Sequence, residues 1–460
     1  MARENNLGAD PIRQLVFRLA IPSMLAQFVN VLYSIVDRMY IGNIPHIGAD
    51  ALAGAGVCGP IVTLISSFAF LIGVGGAPLL AIRLGEDNQD GAEQILANCY
   101  MMLLVISAIL TGVVLAFKGP LLMWFGASPA TFPYANTYLT IYAFGTVFAI
   151  LTSGLNQFIT CQGYSKTAMS AVLIGAVLNI LLDPVFIFFL GWGVAGAAVA
   201  TVLSQAVSAA FVLHFLFGIR PRVRITLGGY SKAVIKRVLS FGFSPFIIIA
   251  TDSIVIIVLN SVLQRYGGQK EGDMLITCAT IVQSYMQLIT LPLGGITSGT
   301  QPILSFNYGA KQTNRIRKAV RCILLFCLGF TGFMFLLSQF APHFFVHIFT
   351  QDPAYIALSV WGIRVFTLGV VVLAFQYTFV DGLTALGIAK IAVSLSMTRK
   401  LQFFAYILLL PRLWGAQSAF FAEPACDIIG GIISTTVFLL IFGKLMKKRD
   451  QMPDGQSLYA

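Results

Sequence analysis

The sequence predicts an all-α integral membrane protein of twelve transmembrane helices, in two six-helix bundles related by a pseudo-twofold axis along the membrane normal. Three observations predict it. Of the 460 residues, 57% are hydrophobic and only 10% charged, and the mean hydropathy is +0.85, outside the range of soluble domains. Apolar windows of span length follow one another along the whole chain. The two halves of the chain also repeat each other.

The windows lie near 14–36, 52–82, 95–117, 134–160, 167–190, 194–217, 237–264, 275–306, 319–339, 355–383, 389–410 and 416–443. The polar stretch before the first, MARENNLGADPIRQ, carries no small-residue cleavage site, so the first window reads as an uncleaved anchor rather than a signal peptide. That window holds PSMLAQFVNVLYSIVD, in which Asp37 follows Pro22 by fifteen residues, or about 22 Å of helix. Asp37 therefore lies in the hydrocarbon slab or at its outer edge. A carboxylate at the centre of a span costs about 2.5–3.5 kcal/mol, which points to a functional acid turned toward the bundle interior. The ordinary alternative is an interfacial acid paired with Arg38, and adjacent helical residues diverge by about 100°, a poor geometry for that pair.

An even number of spans leaves both ends on one side. Most basic residues fall to that side, from Arg13 and Arg83 through the 218–236 connection to Lys444 and Arg449, while Arg38, Lys118, Arg265, Lys270 and Arg412 fall to the other. By the positive-inside rule the termini are cytoplasmic. The net charge of +11 is thus a topology signal with anionic-lipid contact, and no nucleic-acid partner is needed to account for it. The organisation that follows is an amino-terminal lobe 1–218, a cytoplasmic linker 219–236, a carboxyl-terminal lobe 237–445 and a tail 446–460.

At an offset of 223 residues Pro22 meets Pro245 and Asp37 meets Asn260. At 224, Pro78 meets Pro302, Gly85 meets Gly309, Gly163 meets Gly387 and Lys166 meets Lys390. Each six-span repeat enters from the same side, so the two are parallel. Parallel repeats with prolines and glycines breaking equivalent spans mark a secondary transporter with its site between the halves. A duplicated scaffold that does not transport is the alternative.

The fifth window contains NILLDP, 179–184. Asn179 and Asp183 are four apart and share a helix face, and Pro184 lacks the N–H that would bond the carbonyl of Ile180. One short segment thus offers a carboxylate, an amide oxygen and a freed carbonyl, to which Thr201 of the sixth window adds a hydroxyl. Two carboxylates converging in a low-dielectric site cannot both stay charged without a cation, which makes the pair a proton or sodium switch. The plainer account has Asp183 capping a broken helix and Asn179 bonding a neighbour.

These features together, namely the parallel repeat, Pro22 with Asp37, and Asn179, Asp183 and Thr201, resemble the multidrug and toxic compound extrusion (MATE) family over nearly the whole chain. DALAGAGVCGPI, 50–61, is similar to stretches of its bacterial multidrug-resistance branch. The resemblance implies two six-helix lobes in a V and export of organic cations in exchange for Na+ or H+. It also implies a cation site at Asp37, Asn179, Asp183 and Thr201, and a first helix that bends at Pro22, with Pro184 as a second hinge. No cofactor is implied beyond the coupling ion. The expected partners are small-molecule drugs, organic cations and the lipid bilayer of the plasma membrane, and the expected state is a monomer.

The second half has no copy of this site, since Asp183 falls on Ile407 in the repeat. Its own acids within the spans are Asp252, Asp381, Glu423 and Asp427. Some members of that family use acids of the seventh and tenth helices, so Asp252 and Asp381 are cleft candidates. Structural pairing with Arg364, Arg399 or Lys400 is their alternative role, and Glu423-Pro424 reads as a helix-breaking element. Asn156, Gln157, Tyr33 and Asn260 are candidates to touch substrate. Tyr33, Met39, Phe68, Phe158 and Tyr285 are candidates to line a cleft for flat apolar cations, with core packing the ordinary role of each.

Other signals are excluded or weak. His343 and His347 are spaced for a metal but sit beside Pro342 at an outer span end, where interfacial histidines are ordinary. The seven cysteines fall singly in apolar runs and read as core residues. GVGG, 73–76, and LGG, 293–295, are packing or hinge glycines, because no GxxxxGK[ST] occurs and ATP cannot be used by that route. The loops are too short for an enzyme or a receptor domain. A lipid-linked oligosaccharide flippase shares the repeat architecture, but it requires cationic side chains in the cleft to meet a pyrophosphate, and acids predominate here.

Overall fold

Every predicted apolar window is helical in the computed structural model, which describes residues 5–45, 47–125, 127, 129, 131–349 and 351–451, with side chains 48–50, 53, 244, 245, 248, 252, 253, 256, 257, 260, 261, 264, 268–273 and 389 left out. The elements are α1 (Ile12–Gly42), α2 (Gly48–Gly85), α3 (Gln89–Trp124), α4 (Phe132–Cys161), α5 (Ser165–Pro184), α6 (Gly193–Phe217) and α7 (Lys232–Gly309). They continue with α8 (Thr313–Phe340), α9 (Pro342–Val346), α10 (Pro353–Phe366), α11 (Val370–Ala385), α12 (Ala389–Trp414) and α13 (Ala422–Asp450). Among the described residues nine helices are long and apolar enough to cross a membrane, and ten if the bent pair α10 and α11 is one span.

Two predicted boundaries differ. The seventh and eighth windows, expected to be separated near 265–274, belong to one helical run of 78 residues, α7. That stretch contains no proline, and its Gln, Lys and Glu favour helix, so its three glycines, Gly267, Gly268 and Gly272, do not interrupt it. The tenth window, 355–383, is instead broken between α10 and α11 with a bend of 47°. No proline lies at that break. Gly369 sits there against the carbonyl of Pro424, 2.9 Å from where a Cβ would fall, so close approach of a neighbouring helix accompanies the bend.

The chain divides into two compact units, Met1–Leu7 with Ile21–Ala250 and Gly8–Ala20 with Thr251–Ala460. Residues 8–20 pack with the second unit, where Phe17 meets Phe326 edge to face at 5.0 Å and Arg18 approaches Asp10 at 3.6 Å. The boundary inside α1 falls between Ala20 and Ile21, beside Pro22.

In the first unit α4 is the central span, with α2 and α6 against it. Small residues allow the approach: a Cβ on Gly73 of α2 would lie 2.7 Å from the carbonyl oxygen of Gly154 on α4, the close backbone contact that membrane helices use in place of a hydrophobic drive. Gly75 and Gly242 bring α2 and the start of α7 together in the same way, with a Cβ on Gly242 falling on the carbonyl of Leu71. We therefore expect Gly242→Val to cost at least the 1–3 kcal/mol typical of overpacking, roughly, read as loss of monodisperse protein and a lower melting temperature. An unchanged melting temperature would contradict this packing.

The 219–231 connection is held to the first unit by side-chain amides, two of them buried and that of Gln89 exposed. Gln162, 1% exposed, accepts from Val223 N–H at 2.8 Å and donates to Val223 O at 3.2 Å. Asn98 accepts from Ser231 N–H at 2.9 Å, and Gln89 donates to Arg222 O at 2.6 Å. In the second unit Arg449, at the end of α13, donates to the carbonyls of Tyr308 and Gly309 at 3.0 and 2.8 Å. It thereby satisfies orphan acceptors at the end of α7.

Candidate functional site

Pro184 ends α5 and a π-helical turn, Val185–Phe189, follows it. A proline that removes one ladder bond is followed here by looser i→i+5 pairing, seen in Leu190 N–H to Val185 O at 2.8 Å. Gly191 and Gly193 then turn the chain into α6 at φ of +67° and +54°, a region costly for residues with a Cβ. The turn sets α6 antiparallel to α5 and brings Thr201 opposite Asn179.

Asp183 is fully buried, Asn179 is 1% exposed and Thr201 3%. Asn179 Nδ2 donates to Asp183 Oδ1 at 3.2 Å and to Thr201 Oγ1 at 3.3 Å, which fixes the orientation of its amide. From α1, the carboxyl of Asp37 faces that of Asp183 closely enough for the two to interact. The hydroxyl of Thr201 is likewise in contact with those of Tyr33 and Tyr138. The four residues expected to converge do converge. Arg38, the alternative partner of Asp37, is exposed and among the described residues makes no ion pair with it.

Three buried acceptors in this cluster have no hydrogen-bond partner: Asp37 Oδ1, Asn179 Oδ1 and Asp183 Oδ2. Buried polar atoms are ordinarily paired. Two neighbouring carboxyl groups, each with an oxygen that no donor reaches among the described residues, suit a positive charge between them. A proton supplies it by bridging the two acids, and a small cation supplies it by taking the oxygens as ligands.

Beside the cluster lies a cavity of about 170 Å³. Tyr33, Asn156 and Gln157 line it, as does Asn179 with Thr201. Sequence reasoning missed Gln27 and Asn30, which with Tyr33 and Asp37 form a stripe along one face of α1 at helical spacing. It also missed Ser204, Gln205 and Ser208, which continue the face of Thr201. That spacing was the signal: single polar residues in an apolar window look incidental until they recur at three and four. No lysine, arginine or glutamate lines the cavity among the described residues.

Other candidates have different surroundings. Asp381 accepts from Thr297 Oγ1 at 2.5 Å. Two of the cations suggested for it have other partners: Arg364 donates to Gln339 O at 3.1 Å, and Arg399 is engaged by Glu423 and Asp427. Glu423-Pro424 does not break a helix but starts one, in the first turn of α13 after a 3₁₀ segment, Ala416–Phe421, where proline is tolerated. Asp252 and Asn260 lie outside the described side chains. Phe158 is wholly buried and Tyr285 packs edge to face on Phe345 at 5.1 Å, so both are core. Phe68 packs against Phe246 at 4.8 Å with the rings tilted by 58°, and Met39 is exposed. His343 and His347 are exposed, and all seven cysteines are free thiols.

Comparison with known proteins places these features. The family model MatE matches residues 22–185 and 249–401. The chain is similar to "Multidrug export protein MepA" of Staphylococcus haemolyticus, 22% identical over 428 residues, covering 92% of this chain and 93% of that protein. It is similar in fold to a solved structure described as the outward-facing conformation of a multidrug resistance MATE family transporter of the MOP superfamily. That likeness has a TM-score of 0.88 and 23% identity, and covers 96% of this chain and 98% of the other. A second is a MOP superfamily transporter from Pyrococcus furiosus whose description gives its binding pocket reversed polarity and suggests a different function. There the TM-score is 0.89 at 22% identity, covering 95% and 97%.

Proposed function

Because this chain belongs to the MatE family, we propose that it is a multidrug efflux antiporter that exports amphipathic organic cations in exchange for Na+ or H+ by alternating access. Asp37 and Asp183 hold the coupling ion, Asn179 and Thr201 complete its shell, and Pro22 and Pro184 let the helices on either side of it bend. The observation that carries this reading is the contact between the two carboxyl groups with three unpartnered acceptors around it. The protein is a multi-pass membrane protein; the proposal adds that it sits in the plasma membrane as a monomer with both termini cytoplasmic.

The alternative of a lipid-linked oligosaccharide flippase finds no support in the amino-terminal cavity. A pyrophosphate needs cationic donors, and the described lining has none.

The ligand shell gives a graded test. Thr201→Val and Asn179→Leu each remove one neutral oxygen while leaving both acids, a loss of about 1.5 kcal/mol for a hydrogen bond or ligand to a charged group. We expect the ion concentration for half-maximal dye export to rise about tenfold in each, with the maximal rate retained. Ion dependence identical to wild type in both variants would remove Asn179 and Thr201 from the shell.

A further inference from the structure

The second unit contains a buried ionic cluster that the proposed transport cycle does not use. Arg399, in the middle of α12, donates Nη2 to Glu423 Oε1 and to Asp427 Oδ1, both at 2.5 Å, and Nε to Asp427 Oδ1 at 3.0 Å. Two acids thus share one guanidinium, and they are not equivalent. Glu423 lies in the first turn of α13, where the helix N-terminus favours a negative charge. Asp427 lies a turn further in and is wholly buried. Its Oδ1 takes both bonds from Arg399, and its Oδ2 has no partner.

A second acceptor points the same way. Gln376 of α11 is 5% exposed and its Oε1 has no partner. That oxygen occupies the space over Gly430, one turn along α13 from Asp427, where a Cβ would collide with it and would lie 3.5 Å from Arg399 Cγ. The other titratable groups near Asp427 are Lys400, which adds a weaker positive field from α12, and Cys426 on α13; Tyr377 of α11 is near Arg399. One oxygen of a buried carboxylate, Asp427 Oδ2, and one buried amide oxygen, Gln376 Oε1, remain without donors beside a guanidinium already divided between two acids.

We propose that Asp427 Oδ2 and Gln376 Oε1 form a second cation site, in the carboxyl-terminal unit, that takes a proton or a monovalent metal ion independently of Asp37 and Asp183. Arg399 and Glu423 neutralise each other, and the ion neutralises Asp427. A purely structural triad makes the opposite demand, with both acids permanently ionised on Arg399.

The test is infrared spectroscopy of the full chain carrying Asp37→Asn and Asp183→Asn, in sodium-free buffer across a pH series. We expect a carboxylic-acid carbonyl band that Asp427→Asn removes, and whose position shifts in Gln376→Leu. A band that fades only as pH rises identifies a proton; one that also fades when sodium is added at fixed pH identifies a metal-ion site, and both support the proposal. Absence of any Asp427-dependent band at every pH at which the helical content is intact overturns it. Because the amino-terminal acids are already neutralised, this result is independent of whether they couple transport, which is read separately from dye export by the wild type.

Discussion

Asp183→Asn and Asp37→Asn are each expected to abolish ion-driven export. Moving one positive charge outward against about 100 mV costs roughly 2.3 kcal/mol, which one returning proton or sodium ion cancels. A tenfold ion gradient then adds about 1.4 kcal/mol, enough for about tenfold exclusion of substrate per ion. Either variant keeps the side-chain volume but removes one of the two facing acids, of which Asp183 has no cation beside it and Asp37 only the exposed Arg38. Dye exclusion from energised cells should fall from about tenfold to none, with the folded yield retained. Removing sodium, or adding an uncoupler, should produce the same loss in the wild type and no further loss in the variants. Wild-type export by both variants would remove the proposed coupling role.

The second large effect concerns stability. Arg399→Met leaves Glu423 and Asp427 facing each other in a buried site. Breaking a buried pair by removing one partner costs about 3–5 kcal/mol, whereas replacing the whole pair by neutral groups is often close to neutral. We expect Arg399→Met alone to be largely misfolded, and Arg399→Met with Glu423→Gln and Asp427→Asn to recover most of the melting temperature. A single variant as stable as wild type would mean that the triad carries no net charge interaction. A triple variant no better than the single one would mean that Arg399 acts through packing of its stem.

Much of this architecture is legible in the sequence because a bilayer permits so few solutions. Lipid offers no hydrogen bonds, so an apolar run of twenty residues is a helix whatever its propensities, and α1 through α6 fall on their predicted windows. What the windows do not carry is how helices meet. The bend between α10 and α11 has no proline to announce it; it depends on Gly369 lying against Pro424, fifty-odd residues away and visible only in three dimensions. The continuous α7 fails the same way, since the polar stretch 265–274 separates two apolar windows in the sequence but does not interrupt the helix.

The site divides similarly. Asn179 and Asp183 were readable because they are four apart on one helix, and Asp37 because an acid in a span demands a reason. Their meeting is a tertiary fact. The stripe Gln27, Asn30, Tyr33, Asp37 was present in the letters and was overlooked because only the charged member is costly enough to stand out. Arg399 reads in the sequence as one possible partner of Asp252 or Asp381, but Asp381 takes the hydroxyl of Thr297, a neutral donor that charge counting ignores. Asp427, on the next helix, took the arginine instead.

The central claim is that Asp37 and Asp183 meet around a single exchangeable positive charge, and carbodiimide labelling of Asp37 tests it most directly. The reagent attacks protonated carboxyls in apolar surroundings, so labelling is compared in sodium-free and sodium-containing buffer at two pH values, for the wild type and Asn179→Leu. Labelling that falls on adding sodium, or on raising pH, and whose protection by sodium weakens in Asn179→Leu, is the predicted result. Labelling of Asp37 indifferent to both sodium and pH would contradict it.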